Sequence, residues 1–356
     1  MRLTGIRIRD FRSVFADELD QPFAVELADG MNTFVGRNNC GKSNVLRAVE
    51  LALDPAARFD PGTDIPGPRQ FSYPVITLRF DATSGSTEEN DLLKAARAYE
   101  RAVVKTGRVF ADEGLVVFEV SFPPSERGGH YRLETLRVSS GQRPDNPEQE
   151  DLLEQALTRL RSTVRFVLIS SGESLRSFLE GNFREILHTV IRERMHEHFE
   201  QAEQSRLDYI TGLQDNLLGP LRDQLRDIVI KLFPEIEGVT LSPEVSGIDA
   251  TLSNVGVNVR DIVDTPLSAK GTGVRGGVLV AMLRYLADNA TRGMVFALEE
   301  PEAFLHPAAQ EDLRDNLEAL AARNDATLLV TTHSPFVVSR EGVGQVFSLA
   351  KDKDGR

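Results

Sequence analysis

Gly36-Arg37-Asn38-Asn39-Cys40-Gly41-Lys42-Ser43 fits the pattern G-x-x-x-x-G-K-[ST] at every fixed position. The apolar run Met31-Asn32-Thr33-Phe34-Val35 leads into it. Asn44 to Leu53 leaves it, with Val45, Leu46, Val49 and Leu53 at helical spacing. Strand, glycine loop and helix in that order are the context in which this pattern holds phosphate. The glycines let backbone N–H groups turn inward around phosphate oxygens, and the helix N-terminus adds partial positive charge. In this reading Gly36, Arg37, Asn38, Asn39, Cys40, Gly41 and Asn44 line a nucleotide. Lys42 reaches its β- and γ-phosphates, and the Ser43 hydroxyl ligates Mg²⁺. ATP and Mg²⁺ are the cofactors implied, and Cys40 fills a free loop position as a small residue.

Outward from the loop, residues 2 to 10 and Phe23 to Leu27 read as strands. Asp54-Pro55 ends the first helix, and Pro61 to Pro74 is a proline-rich loop. Strands follow at Val75–Phe80, Leu115–Phe122 and His130–Val138, with a charged helix near Glu88–Val104. This run predicts an antiparallel sheet beside the first strands. From Asn146 to Ile236 the pattern is long, charged and helical, apart from an apolar strand at Val164–Ser170. Leu175, Phe178, Leu179, Phe183, Ile186, Leu187, Val190 and Ile191 give it apolar faces. The interleaved charges fit a solvated face with internal ion pairs, or an inserted arm that pairs two protomers. Val239–Val259 alternates like a strand, and Leu267–Gly273 is a glycine-containing loop. Then come a helix at Val274–Leu286, a strand at Met294–Leu298, a helix at Pro307–Ala322, and strands at Thr327–Thr332 and Gln345–Leu349. The predicted fold is α/β: a parallel core sheet carrying the phosphate loop, an antiparallel β subdomain and an inserted helical region. The divisions fall at 1–150, 151–235 and 236–356.

The composition narrows the partners. Of 356 residues, 41% are hydrophobic and 27% charged, the balance of a globular rather than a disordered chain. The net charge of −13 excludes a uniformly basic nucleic-acid clamp, though not a local basic stripe. With no Trp and 7% aromatic residues, no stacking platform for single strands is advertised. A single cysteine excludes an internal disulfide framework and a clustered-cysteine zinc site. No apolar stretch approaches about 18 residues, so no membrane partner is expected. The N-terminus lacks an apolar signal core, and the expected location is cytoplasmic.

Val295-Phe296-Ala297-Leu298-Glu299-Glu300-Pro301-Glu302 is an apolar strand ending in paired carboxylates. In isolation these read equally as solvated acids opening a loop. After a core parallel strand they sit at the sheet's C-terminal edge, where phosphates bind. Glu299 then holds the metal through its water shell, and Glu300 orients or deprotonates the attacking water. His333 follows a second apolar strand and is placed to contact the γ-phosphate and sense its loss. His306 either faces a partner subunit near the same site or caps a helix ahead of Pro307. His196 and His198, two apart on a helix, face differently and do not make a metal site.

With these elements in order, the chain resembles the ABC-type ATPase heads shared by SMC-like repair proteins, RecF and the OLD (overcoming lysogenization defect) family, OLD most of all. Ile8-Arg9-Asp10-Phe11-Arg12-Ser13 is similar to that family's N-terminal signature, which implies Arg12 and Ser13 near the nucleotide. Glu299-Glu300-Pro301-Glu302 with Leu305-His306-Pro307 resembles the OLD acidic motif. Thr331-Thr332-His333-Ser334-Pro335 resembles its switch loop. Leu267-Ser268-Ala269-Lys270-Gly271-Thr272-Gly273 departs from the transporter signature LSGGQ but looks like the OLD version. The resemblance thus implies that Ser268, Lys270 and Gly273 reach the γ-phosphate of a second protomer. OLD proteins usually continue into a Toprim nuclease domain, and Val346–Leu349 followed by Lys351–Asp354 looks like the lead-in to it. No residue present carries nuclease chemistry, so the expectation is either a longer natural chain or a separate effector.

The function expected from these motifs is a Mg-dependent ATPase head that forms homodimers and gates DNA processing or the nuclease activity of a Toprim domain. The alternative is a nucleotide-dependent scaffold, with little turnover, that clamps DNA or a partner. A transporter ATPase subunit fits worst, because LSGGQ is missing and the long helices are charged.

Overall fold

The computed structural model describes residues 1–15, 21–66, 73–104, 109–123, 129–133, 146–170, 195–232, 240–241, 246–248, 258–260, 263–289, 292–303, 305–323, 325–340 and 344–350. The chain forms two compact units, Met1–Glu173 with Gly271–Arg356, and Ser174–Lys270.

Among the described residues, the first unit holds two five-stranded sheets. One is antiparallel, in the order β2-β1-β4-β5-β6, built from Phe23–Glu26, Arg2–Arg9, Val75–Asp81, Leu115–Ser121 and His130–Leu133. Its strands alternate: Leu3, Ile6 and Ile8 of β1 are buried while Arg7 is exposed. This is the period-2 signature of a sheet with one face on the core. The other sheet is parallel throughout, in the order β12-β3-β11-β10-β7. Its strands are Gln345–Leu349, Met31–Gly36, Ala326–Thr332, Gly293–Glu299 and Val164–Ile169. Every residue of β11 and all but the last of β10 are buried. A strand covered on both faces needs a continuous apolar run, and β10 supplies one in Met294–Leu298. The antiparallel and parallel sheets expected from the sequence are both present. The strand expected at His130–Val138 runs from His130 to Leu133, and its remainder lies outside the described residues.

Helix α1 (Lys42–Leu53) turns Val45, Leu46 and Val49 into one apolar cluster with both sheets and with α3 (Thr87–Val103) and α4 (Pro147–Thr163). The helix starts follow local chemistry. Ser86 caps α3 by accepting from Glu89 N at 3.2 Å, and Asn146 caps α4 by accepting from Gln149 N at 2.9 Å, with Pro147 in the first turn. The one-turn helix α2 (Pro61–Asp64) interrupts the proline-rich stretch read as loop, because Asp60 accepts from Gly62 N at 3.1 Å. The sheets are tied where Leu3 N of β1 donates to Thr327 Oγ1 of β11 at 3.0 Å. Most of helix α4 and all of strand β7 fall in the span 151–235 read as an insertion, and both belong to this unit.

Taken by itself, the second unit contains α5 (His196–Gly212), a π-helical turn at Leu213–Leu217, α6 (Gly219–Leu232) and a short hairpin of β8 (Asn258–Arg260) with β9 (Asp264–Pro266). Interleaved charges pair along these helices, Arg206 with Glu203 and Arg226 with Asp223. The apolar faces expected from Leu175 to Ile191 lie outside the described residues.

One buried acid of the first unit, Glu100, contributes a pH-dependent stability. Glu100 on α3 is 0% exposed; Oε2 accepts from Ala111 N at 3.3 Å and Oε1 has no partner among the described residues. Burial pushes its carboxyl up to about 7, against the opposing pull of the Ala111 and Phe110 N–H groups. Between about pH 4.5 and 7 the folded protein keeps a proton that the unfolded chain has released. Stability therefore falls with rising pH across that window, by on the order of 3 kcal/mol. Glu100→Gln keeps the acceptor and removes the charge. Urea unfolding at pH 5 and pH 8 is expected to give a smaller loss for Glu100→Gln than for the wild type; equal losses would refute the assignment.

Candidate nucleotide-binding site

The chemistry gathers at one edge of the parallel sheet. Register places Thr332 beside Val35, Thr331 beside both Phe34 and Glu299, and Leu349 beside Gly36. The ends of β3, β11 and β10 therefore open on the same side, with β11 between the other two and a span of about 10 Å across them.

The loop after β3 has the backbone that its glycines permit. Gly36 has φ +153 and Gly41 φ +100, both in the region that disfavours a Cβ. At Gly36 a Cβ would stand 2.3 Å from Leu349 O, and at Gly41 it would crowd Ser13 Oγ at 3.2 Å. Asn39, at φ 62, is a residue type that tolerates this conformation. Gly41 caps α1 without any side chain, so no side chain competes for the first-turn N–H groups. Arg37, Asn38, Asn39 and Ser43 are exposed around this opening, and Cys40 is half-buried behind it.

Lys42 is buried, and its ammonium points back into the loop. Nζ donates to Gly36 O and to Arg37 O, each at 3.2 Å, and stands 2.8 Å from His333 Nε2. The same Nε2 lies 3.3 Å from Glu300 Oε1. A ring nitrogen either accepts or donates. Accepting from the ammonium leaves the imidazole proton on Nδ1 and makes Glu300 a charge neighbour of Lys42 through the ring. Lys42, His333 and Glu300 thus form one contiguous cluster.

Glu300 is reached by a sharp reversal. Its φ is +45, unusual for a residue with a side chain, and its N–H donates to Thr331 O at 2.9 Å. Glu302, two residues on, is 7% exposed. Its Oε1 accepts from Thr332 Oγ1 at 2.5 Å and from His333 N at 3.0 Å. Ser334 N donates to Thr332 Oγ1 at 2.9 Å, and Ser334 Oγ donates to Gln310 Oε1 at 2.5 Å. These bonds tie the histidine loop to α8 (Pro307–Ala321). His306 is the N-cap of α8, accepting from Ala308 N through Nδ1 at 3.4 Å. Of its two expected roles, the helix cap is the one this geometry holds.

On the other flank, the Arg12-Ser13 turn packs on the start of α1. Asn44 Nδ2 donates to Ser13 Oγ at 2.8 Å, and Arg12 Nη1 reaches Asn44 Oδ1 at 3.5 Å. Arg12 Nε donates to Asp64 Oδ1 at 2.8 Å, and Arg12 N donates to Asp64 O at 3.0 Å. Asp64 is 1% exposed and carried no sequence signal, since an acid after a proline turn is commonplace. Ser268 lies in the 3-10 turn Leu267–Ala269, followed by Lys270. Gly273 is in the first turn of α7 (Thr272–Asn289). Ser268 and Lys270 belong to the second unit, and Gly273 to the first.

A family model described as an AAA ATPase domain matches residues 137–338. The chain belongs to the AAA ATPase domain family. The matched stretch holds Glu299, Glu300 and His333; the phosphate loop lies ahead of it. Across its whole length this AAA ATPase domain is similar to two curated proteins. It is 21% identical to the OLD nuclease of Thermus scotoductus (strain ATCC 700910 / SA-01) over 99% of the chain and 63% of the relative. It is 23% identical to the Old nuclease of Escherichia phage P2 over 100% of the chain and 60% of the relative. The chain thus spans less than two thirds of either relative's length. Its fold is that of SMC heads. An SMC head bound to the C-winged helix domain of ScpA aligns with 100% of this chain and 96% of its own, at TM-score 0.57 and 12% identity. An Smc head with an extended coiled coil, bound to the C-terminal domain of ScpA derived from Pyrococcus furiosus, covers 97% of this chain and 92% of its own, at TM-score 0.51 and 14% identity. The OLD-type, SMC/RecF-like ATPase head expected from the motifs and the α/β head fold are borne out. Among the described residues no helix is long and apolar enough to cross a membrane.

Proposed function

We propose that this AAA ATPase domain binds ATP with Mg²⁺ at the edge of the parallel sheet and hydrolyses it. The observation that carries this is the Lys42–His333–Glu300 cluster, which joins three motifs from distant parts of the chain. Triphosphate entering the loop replaces Gly36 O, Arg37 O and His333 as partners of the Lys42 ammonium. The first turn of α1 donates N–H groups to the same oxygens. His333, released from Lys42, turns its ring to the γ-phosphate, and Glu300 is left to orient and deprotonate the attacking water.

The residues fit magnesium. Ser43 offers an exposed hydroxyl beside Lys42, and Glu299 a carboxylate at the strand end. Among the described residues no group of three or more His, Cys, Asp or Glu would hold a metal. One hydroxyl and one carboxylate suit a cation that takes its other ligands from phosphate oxygens and water. When bound, magnesium offsets the phosphate charge and aligns the γ-phosphoryl group for attack.

The relatives support a role in DNA processing, and SMC-head likeness supports a nucleotide-bridged homodimer in which Ser268, Lys270 and Gly273 serve the partner's site. Leu207, Tyr209, Leu217 and Leu221 on the helices of the second unit are exposed and suit such an arm. The test is phosphate release from purified protein with ATP and Mg²⁺, with and without DNA, beside size-exclusion with a slowly hydrolysed ATP analogue. Turnover above that of a Lys42→Ala control is expected. Tight ATP binding without any phosphate release would replace this reading by the scaffold alternative.

A further inference from the structure

We infer that Glu302 is a positioning residue that fixes His333 for the reaction, an inference resting on the ATPase reading above. Three observations converge. Glu302 is 7% exposed and stands one residue past the Glu300-Pro301 step, yet it faces the histidine loop rather than solvent. One oxygen, Oε1, takes both the Thr332 hydroxyl and the His333 N–H. Its other oxygen, Oε2, is buried with no partner among the described residues. Burying a carboxylate oxygen without a partner is unfavourable. The arrangement persists because Oε1 takes two donors from one short segment.

The geometry explains what those two bonds do. Glu300 N already bonds Thr331 O, which aligns the two strand ends. Thr332, beside Val35, is the last rung of β11, and the ladder does not extend to His333. The Glu302 carboxylate supplies the missing ties. It sets the peptide at which His333 begins, and so places Nε2 within reach of both Lys42 and Glu300. The Glu300 turn and the histidine loop therefore move as one piece, and a γ-phosphate sensed at His333 is reported to the water-orienting carboxylate.

The test uses kinetics and a spectroscopic signature on the whole chain. Glu302→Gln keeps a carbonyl acceptor for both donors and is expected to retain ATP turnover within about threefold. Glu302→Ala is expected to lower kcat about 10- to 100-fold, the usual range for groups that orient a reacting side chain. ATP affinity should stay within about twofold, because Glu302 does not line the phosphate loop. Glu302→Met fills the same volume without an acceptor and should match Glu302→Ala, which separates the lost ties from a cavity effect. In a His333→Ala background, Glu302→Ala should add less than about threefold.

The imidazole ¹⁵N resonances of His333, assigned by their loss in His333→Ala, report the same positioning without turnover. They should shift in Glu302→Ala and Glu302→Met and stay in place in Glu302→Gln. Multiplying losses in the double variant, or Glu302→Gln as impaired as Glu302→Ala, would overturn the inference. So would unchanged ¹⁵N resonances in all three variants. A wild-type protein without turnover whose His333 resonances still follow this pattern would sink the ATPase reading and leave the positioning role standing.

Discussion

Lys42→Ala is expected to weaken ATP binding more than about 100-fold, measured by isothermal titration or a fluorescent nucleotide. The ammonium has three partners, Gly36 O, Arg37 O and His333 Nε2, and all lie where phosphate oxygens would arrive in this reading. Charge-assisted hydrogen bonds to an ionised phosphate contribute about 1.5–3 kcal/mol each, so losing even two amounts to that factor. The fold should survive, since α1 is held by Val45, Leu46 and Val49 rather than by Lys42. Binding within about fivefold of wild type would mean that the loop is not a triphosphate cradle.

The second large effect separates chemistry from binding. Glu300→Gln is expected to bind ATP as the wild type does and to lower kcat by about 10²- to 10⁴-fold, the range for loss of a general base. The amide keeps the size and the neighbour at His333 but cannot take a proton from water. Burst and steady-state phosphate release check this, with nucleotide affinity measured in parallel. Wild-type turnover in Glu300→Gln would move the base elsewhere. Glu299→Gln is the natural companion, since in this reading its loss is rescued in part by raised Mg²⁺ whereas the loss of Glu300 is not.

Much of this was legible in the sequence because the relevant signals are local. The phosphate loop needs glycines at set positions, and buried parallel strands need unbroken apolar runs, so Met294–Leu298 and Thr327–Thr332 announced themselves. The alternation in β1 likewise marked a one-sided sheet. What could not be read was how distant segments meet. Nothing near Asp64 indicates that its carboxylate receives Arg12, because that bond depends on the path of a proline-rich stretch after α1. Glu302 was visible only as part of an acidic run. Its burial, and the contrast with its half-buried neighbours, come from the tight turn at Glu300. The place of β7 in the parallel sheet was equally hidden, since an isolated apolar strand between helices carries no address.

The order of the parallel sheet bears on biosynthesis. Strand β3, which launches the phosphate loop, is flanked by β11 and β12, both drawn from residues 326–349. A ribosome emits β3 early, so its two hydrogen-bonding edges stay bare until those late segments emerge. Pairings of such long sequence separation form slowly, and bare edges invite wrong partners. Truncation before β11 should therefore give insoluble product rather than a smaller folded domain.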